Sequence, residues 1–202
     1  MTPIKAVFWD LGGVVVADNV QEGFEKHGIR YSLRQKNAWR RHRTGITTST
    51  EFWQEALEGT GRESEPGQIE KTTTELIKPL TEGALPLMCR LHQQAVPQGV
   101  ISNHTCNWAD YIANMTQFRT YIHPDLELIS SAVKLDKDTP RIFDLALSRI
   151  QLTIPTAKSS DLLFFDDRPK NIEVARRAGW NAEIYSTRNA AVEKLKSYGF
   201  QI

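Results

Sequence analysis

The run Asp161-Leu162-Leu163-Phe164-Phe165-Asp166-Asp167 decides the fold. Its central residues are apolar without alternation, which is typical of a strand covered by helices on both faces. A predicted helix follows from Pro169 to Ala178, with proline early and Gly179 just past its end. A buried strand that leads directly into a helix is the repeating unit of a parallel α/β sheet.

The same alternation extends over most of the chain. Apolar runs predict further strands, and segments with helical spacing predict further helices. The predicted strands are 4–9, 98–102, 125–130 and 182–185, and the predicted helices are 85–94, 139–150 and 190–198. The pattern therefore predicts an α/β fold, a doubly wound parallel sheet of Rossmann-like type.

Residues 17–83 interrupt this pattern. Their apolar residues are sparse and spaced as in helices, and glycines and prolines break the segment. We predict an inserted helical cap of three to four short helices, with Trp39, Phe52 and Trp53 in its small core. The α/β core then comprises 1–16 and 84–202.

The composition excludes several classes of protein. The 202 residues carry 25 basic and 24 acidic side chains, a net charge of +1, which argues against a uniformly basic nucleic-acid binder. Mean hydropathy is −0.41, and no apolar run approaches the ~20 residues that a membrane span needs. The N-terminus shows no signal-peptide pattern, and Cys89 and Cys106 are expected to be reduced, partly buried thiols. We therefore expect a cytoplasmic protein.

Acidic residues follow two of the predicted strands directly. Because ligands of such sheets bind at the carboxyl ends of the strands, Asp10, Ser102 and Asp166-Asp167 should share one edge. Asp10 is a candidate nucleophile or cation ligand, or simply a turn former. Like charges ~5 Å apart cost about 3 kcal/mol at an effective dielectric of ~20, so a cation would stabilise the cluster. Oxygen ligands alone favour Mg²⁺, whereas the alternative is a pair of helix N-terminal acids.

Polar and basic residues near this edge suit an anion. The hydroxyl, amide and backbone N–H groups of Ser102-Asn103-His104-Thr105 suit a phosphate, or alternatively cap a helix. Lys137, in a polar loop, could bridge a phosphate and a carboxylate or be solvated. Arg40-Arg41-His42-Arg43 in the insert is either a solvated face or a recognition site for an anionic substrate group.

Four segments, taken in order, resemble the motifs of the haloacid dehalogenase-like (HAD) hydrolase superfamily. They are Phe8–Val15, which contains Asp10-Leu11-Gly12-Gly13, then Val100–Asn103, Ser130–Phe143 and Phe164–Asn171. The resemblance covers nearly the whole chain. It is closest to members with a small helical cap inserted after the first strand.

The resemblance implies a role for each matching position. Asp10 would attack phosphorus and form an aspartyl-phosphate, and Lys137 would neutralise charge on the phosphoryl group and on Asp10. Ser102 would hydrogen-bond the phosphoryl oxygens. Mg²⁺ would be held by Asp10, the backbone carbonyl of Gly12, Asp166 and Asp167, with Asp167 the direct ligand of the last two.

Two positions depart from the family pattern. Most phosphatases of the superfamily carry a second Asp, a general acid and base, where Gly12 stands, and a proline where Asp138 stands. Asp18, His104 and His42 are the candidates to supply the missing group. Relatives with glycine at this position include sugar-phosphate phosphatases, so the departure does not exclude phosphatase activity.

The expected function is a Mg²⁺-dependent phosphatase acting on a small phosphorylated metabolite. One alternative is a non-catalytic binding protein that has lost its general acid and base. Another is a 2-haloacid dehalogenase, which would not need the acid pair Asp166-Asp167. No nucleic-acid or membrane partner is expected, and the chain is expected to act as a monomer or homodimer.

Overall fold

A parallel sheet of five strands forms the centre of the protein, as seen in a computed structural model that describes residues 3–202. The sheet contains β1 (Ala6–Trp9), β4 (Gln98–Ser102), β5 (Glu127–Ile129), β6 (Leu162–Asp166) and β7 (Asn181–Ile184). Their order across the sheet is β5-β4-β1-β6-β7, and every neighbouring pair is parallel. The predicted doubly wound α/β fold is confirmed.

Helices cover both faces of the sheet. They are α5 (Leu85–Gln93), α6 (Cys106–Thr116), the short α7 (Ser130–Val133), α8 (Arg141–Ile150), α9 (Pro169–Arg177) and α10 (Arg188–Ser197). Successive residues of β1 point to opposite faces, so Val7 and Trp9 join one apolar core while Ala6 and Phe8 join the other. Both faces of the strand are therefore buried, which explains its apolar sequence without alternation.

The segment between β1 and α5 contains four helices. They are α1 (Val20–Glu25), α2 (Leu33–Arg43), α3 (Ser49–Leu57) and α4 (Pro66–Glu75). Capping boxes begin α2, where Ser32 pairs with Gln35, and α3, where Thr48 pairs with Glu51. The helices enclose a separate apolar cluster that includes Phe24, Phe52, Trp53, Ala56, Leu57 and Ile69.

A small antiparallel ribbon connects these helices to the sheet. Its strands are β2 (Val16–Ala17) and β3 (Lys78–Pro79), which pair where the chain leaves the α/β core and where it returns. The predicted insert, 17–83, therefore begins at the last residue of β2 and ends shortly after β3. Both cysteines are free, and Cys106 is exposed rather than partly buried as expected. No helix in the described part of the chain is both long enough and apolar enough to cross a membrane.

Candidate active site

The candidate site lies at the carboxyl end of the central strands. Asp10 directly follows β1, Ser102 ends β4, and Asp166 ends β6 with Asp167 after it. Parallel pairing of β1 with both β4 and β6 sets these chain ends side by side. The predicted residues therefore lie together at the carboxyl edge of the sheet, the edge where ligands of such sheets bind.

Lys137 holds two of the carboxylates. Its side chain is only 1% exposed, and Nζ lies 2.6 Å from Asp10 Oδ2 and 2.6 Å from Asp166 Oδ2. Burial alone disfavours the charged ammonium, but the two carboxylates outweigh it and raise the pKa of Lys137. The Lys137 backbone N–H donates to Asn103 Oδ1 at 3.1 Å, which ties its loop to the end of β4.

Asp166 is the most buried carboxylate of the site. Its oxygens accept hydrogen bonds from Asn171 Nδ2, at 2.9 Å each, and from the Arg168 backbone N–H at 2.8 Å. Burial raises the pKa of Asp166 to about 6, with Lys137 acting against the shift and Asp10 adding to it. Asn171 ends the Phe164–Asn171 motif, but its role could not be predicted from the sequence, because a first-turn asparagine has many possible orientations.

The three predicted acidic ligands form one cluster. Asp10, Asp166 and Asp167 each offer an oxygen atom, and these atoms all lie within 4.8 Å of one another. Burial raises the pKa of Asp167, followed by the charge of Asp166, and Asp167 Oδ1 is buried without a hydrogen-bond partner among residues 3–202. Gly13 has a φ of +74°, and a Cβ there would collide with Asp167.

This donor set fits a hard divalent cation. All of its donors are carboxylate oxygens, and Asp167 Oδ1 has no hydrogen-bond partner among residues 3–202. A positive ion would bind this oxygen and reduce the repulsion between the three carboxylates. Mg²⁺ prefers such oxygen ligands. Gly12, which is predicted to offer its carbonyl, lines a small cavity together with Asp10.

A chain of polar contacts begins at Asp10. Asp10 Oδ1 accepts from the Leu11 N–H at 2.8 Å and from Ser102 Oγ at 2.6 Å. Ser102 Oγ in turn lies 2.8 Å from His104 Nδ1. His104 Nε2 then lies 3.0 Å from Asp18 Oδ2.

Asp18 sits directly over Gly12. A Cβ built at Gly12 would lie 2.6 Å from Asp18 Oδ1. Burial raises the pKa of Asp18, but the contact with His104 outweighs it, so the net pKa is lowered. Of the three candidates for a proton-transfer group, Asp18 and His104 line the cavity. His42 instead stacks on Phe52 and bonds the Thr47 carbonyl from Nδ1.

The cavity at the carboxylates is small. Its volume is about 40 Å³, and it is lined by Asp10, Gly12, Asp18, Trp39, Arg43, Asn103, His104, Lys137, Arg168 and Asn171. Trp39 is expected in the small core of the inserted helices. It also packs on Trp108 of the α/β core and lines this cavity. A larger groove of about 940 Å³ runs between α2 and the 134–141 loop, but none of the three carboxylates lines it.

The arginine-rich end of α2 divides into different roles. Arg41 pairs with Glu55 within the inserted helices, and Arg40 reaches Asp138 of the α/β core at 3.2 Å. Arg43 is largely buried and lines the cavity beside Asp10. One arginine of the cluster therefore faces the candidate site, and the others make surface ion pairs.

The profile of the haloacid dehalogenase-like hydrolases matches residues 4–179. The chain belongs to this family of hydrolases. No curated protein matches the sequence.

Several solved structures share the fold. A HAD family enzyme of Bacteroides thetaiotaomicron, in complex with magnesium and inorganic phosphate, is 20% identical with a TM-score of 0.73, over 91% of this chain and 95% of that one. A predicted HAD-like family hydrolase of Porphyromonas gingivalis is 18% identical with a TM-score of 0.74, over 99% and 100%. The L-2-haloacid dehalogenase of Xanthobacter autotrophicus is 15% identical with a TM-score of 0.59, over 98% and 85%.

Proposed function

We propose that the protein is a Mg²⁺-dependent phosphatase that hydrolyses a small phosphorylated metabolite through an aspartyl-phosphate on Asp10. The observation that carries this proposal is the carboxylate cluster of Asp10, Asp166 and Asp167 around the buried ammonium of Lys137. Three acids at this spacing are stabilised by a cation, and a cation beside a nucleophilic carboxylate suits a phosphate dianion.

Asp10 acts as the nucleophile. Its Oδ1 is held by Leu11 N and Ser102 Oγ, and its Oδ2 by Lys137 Nζ, so the carboxylate is fixed before substrate arrives. One carboxylate oxygen attacks phosphorus, the ester P–O bond breaks, and the alcohol leaves. Water then attacks the aspartyl-phosphate, which releases inorganic phosphate and restores the Asp10 carboxylate.

Lys137, Ser102 and Asn103 bind the phosphoryl group. Lys137 places its positive charge where the oxygens of the transferring group gain negative charge. The side-chain Oδ1 of Asn103 already accepts from the Lys137 backbone N–H, so the side-chain NH₂ group is the part that donates to a phosphoryl oxygen. Ser102 Oγ donates its single proton to Asp10 in the free protein and becomes a second phosphoryl donor when that proton turns to the substrate.

Asp10, Asp166, Asp167 and the Gly12 carbonyl would hold Mg²⁺. When bound, the ion supplies charge neutralisation between the nucleophile and the phosphoryl group. Asn171 and the Arg168 N–H orient Asp166 through three hydrogen bonds. These contacts keep the Asp166 carboxylate fixed whether or not an ion is present.

The small cavity and its two arginines, Arg43 and Arg168, support a small, anionic substrate. A volume of about 40 Å³ leaves little room beyond a phosphoryl group unless the inserted helices move away. Those helices would act as a lid that excludes water and selects the metabolite. We infer a cytoplasmic protein, a monomer or homodimer, with no nucleic-acid or membrane partner.

A screen of phosphorylated metabolites for phosphate release tests this function. We expect release from at least one metabolite with Mg²⁺, none with a chelator, and none from the Asp10→Asn variant. The exposed Asp144→Asn substitution on α8 is the matched control and should leave release unchanged.

Two outcomes would overturn the proposal. Chloride release from 2-haloacids without metal would identify a dehalogenase. Tight binding of Mg²⁺ and phosphate with no turnover across the screen would identify a non-catalytic binding protein.

A further inference from the structure

We propose that Asp18, paired with His104, is the proton-transfer group of the site, and that Gly12 is a glycine to make room for it. This inference rests on the proposed phosphatase function. It concerns two proton transfers, one to the oxygen of the leaving alcohol and one from the attacking water.

The first observation is the fit between Gly12 and Asp18. Gly12 is not among the residues with positive φ, so its backbone accepts any side chain. A Cβ at this position would nevertheless lie 2.6 Å from Oδ1 and 2.7 Å from Oδ2 of Asp18. The Asp18 carboxylate therefore fills the space that a side chain at position 12 would occupy, two residues after the nucleophile.

The second observation is a count of protons along the contact chain. The Asp10 carboxylate can only accept, so Ser102 Oγ donates to it. Ser102 Oγ then accepts from the Nδ1–H of His104. His104 Nε2 faces Asp18 Oδ2 at 3.0 Å, and one proton between them is needed because two lone pairs at that distance repel.

The third observation is the isolation of this proton. His104 is 3% exposed. Its Nε2 is close to Asp18 Oδ2, but the angle does not meet that of a hydrogen bond, so Nε2 has no aligned partner among residues 3–202. Hydrogen bonds of catalytic groups are often misaligned before substrate binds. Both residues line the cavity, and Asp18, with 18% of its side chain exposed against 3% for His104, is the more open of the two.

The proton movements balance over the two steps. In the first, the pair gives its proton through Asp18 to the leaving oxygen as the P–O bond breaks. In the second, water attacks the aspartyl-phosphate, and its proton passes to Asp18. The pair ends each cycle as it began.

The Asp18→Asn variant tests the catalytic role, with two substrates that differ in leaving group. An alkyl phosphate needs a proton on its leaving oxygen, whereas p-nitrophenyl phosphate releases a stable phenolate. We expect turnover of the alkyl phosphate to fall about 10²- to 10⁴-fold, the usual size of general acid–base catalysis. With p-nitrophenyl phosphate we expect a burst of one p-nitrophenolate per active site, followed by slow turnover, because the phosphoenzyme lacks its base.

A relocation experiment tests the steric argument. Gly12→Asp alone should be less active than the wild type on the alkyl phosphate, since its Cβ displaces the Asp18 carboxylate. The double variant Gly12→Asp/Asp18→Ala should be at least tenfold more active on the alkyl phosphate than Asp18→Ala alone. His104 is a positioning residue, so His104→Gln, which keeps a donor toward Asp18, should retain more activity on the alkyl phosphate than His104→Leu.

The outcomes separate this proposal from the function it rests on. If the wild-type chain hydrolyses neither substrate, the phosphatase function fails. If the wild type turns over both and Asp18→Asn lowers both equally without a burst, Asp18 is not the proton-transfer group. Loss of Mg²⁺ binding in Asp18→Asn, measured by calorimetry, would also overturn the proposal by making Asp18 a metal ligand.

Discussion

Two glycines with the same positive φ differ in the space that a side chain would have. Gly13 and Gly61 both have a φ of +74°, but a Cβ at Gly13 would collide with Asp167, whereas a Cβ at Gly61 meets nothing within 4 Å. Gly13→Ala and Gly61→Ala should each lower the free energy of unfolding by about 1–2 kcal/mol, the cost of the left-handed conformation. Only Gly13→Ala should also displace Asp167.

Calorimetry with Mg²⁺ distinguishes the two variants. We expect Gly13→Ala to lose at least tenfold in affinity and Gly61→Ala to match the wild type. Equal Mg²⁺ affinity in both variants would show that Asp167 is not a ligand.

The metal-free protein should lose stability as the pH rises through the titration of Asp166. Its pKa is about 6 in the folded chain, above its ordinary value of 3.8, so between these values the native state binds more protons than the unfolded state. The free energy of unfolding therefore decreases as the pH rises, by up to about 1.4 kcal/mol per pH unit. In urea unfolding with a chelator, the free energy of unfolding of the wild type minus that of Asp166→Asn should decrease with this slope as the pH rises. The same slope in both proteins would contradict the assignment.

At this scale the sequence predicts positions at strand ends but not on loops. The positions of Asp10, Ser102 and Asp166 could be predicted because each lies at or directly after the end of a buried strand, and parallel strands end at one edge. Asp18 and Asn171 could not be assigned, since no period or spacing fixes the direction of a side chain in a loop or in a first helical turn. The contact of Asp18 with Gly12 depends on the path of the chain between them.

An ion-pair cluster connects the inserted helices to the α/β core. Asp138 lies 2.7 Å from Lys170 Nζ and 3.2 Å from Arg40 Nη2 of α2, with Arg43 Nη2 at 3.8 Å. Burial raises the pKa of Asp138, but Lys170 and the two arginines outweigh it and lower the net value. This residue stands where the family usually has proline, so the departure adds a contact between the two parts of the chain.

Asp138→Asn should loosen the C-terminal end of α2. Because these pairs are partly exposed, the loss in the free energy of unfolding should be only about 0.5–1 kcal/mol. Hydrogen exchange of the α2 peptide should nevertheless be faster than in the wild type. Glu58→Gln, which removes a pair with Arg34 inside the inserted helices, is the control and should leave exchange at the α2 C-terminus unchanged. Unchanged exchange in Asp138→Asn would show that the cluster does not hold α2.

Elements with a strong apolar pattern were predictable, and those set by long-range pairing were not. The strand predicted for 98–102 is confirmed at both ends, and β6 is Leu162–Asp166, one residue later at each end than the predicted 161–165. The helix α6 had no prediction, because Trp108, Ala109, Ile112 and Ala113 form a short apolar face among polar residues. The ribbon of β2 and β3 pairs residues about 60 positions apart, and two-residue strands carry no period.

For the whole molecule, binding of Mg²⁺ should stabilise the native state. A ligand present at 100 times its Kd adds about 2.7 kcal/mol. For a chain of this size, that corresponds to a rise in Tm of roughly 5–10 °C. Asp167→Asn should abolish the rise without lowering the Tm of the metal-free protein, because it removes a repelled carboxylate. A full Mg²⁺-dependent rise in this variant would contradict the metal site.

Covalent labelling tests the central claim, that Asp10 accepts the phosphoryl group, most directly. The protein is mixed with Mg²⁺ and a phosphomonoester that it hydrolyses, quenched in acid within one turnover and digested for mass spectrometry. We predict one phosphoryl group on the peptide that contains Asp10, removable by hydroxylamine and absent from Asp10→Asn. Turnover with no label, or with the label on another residue, would contradict the account.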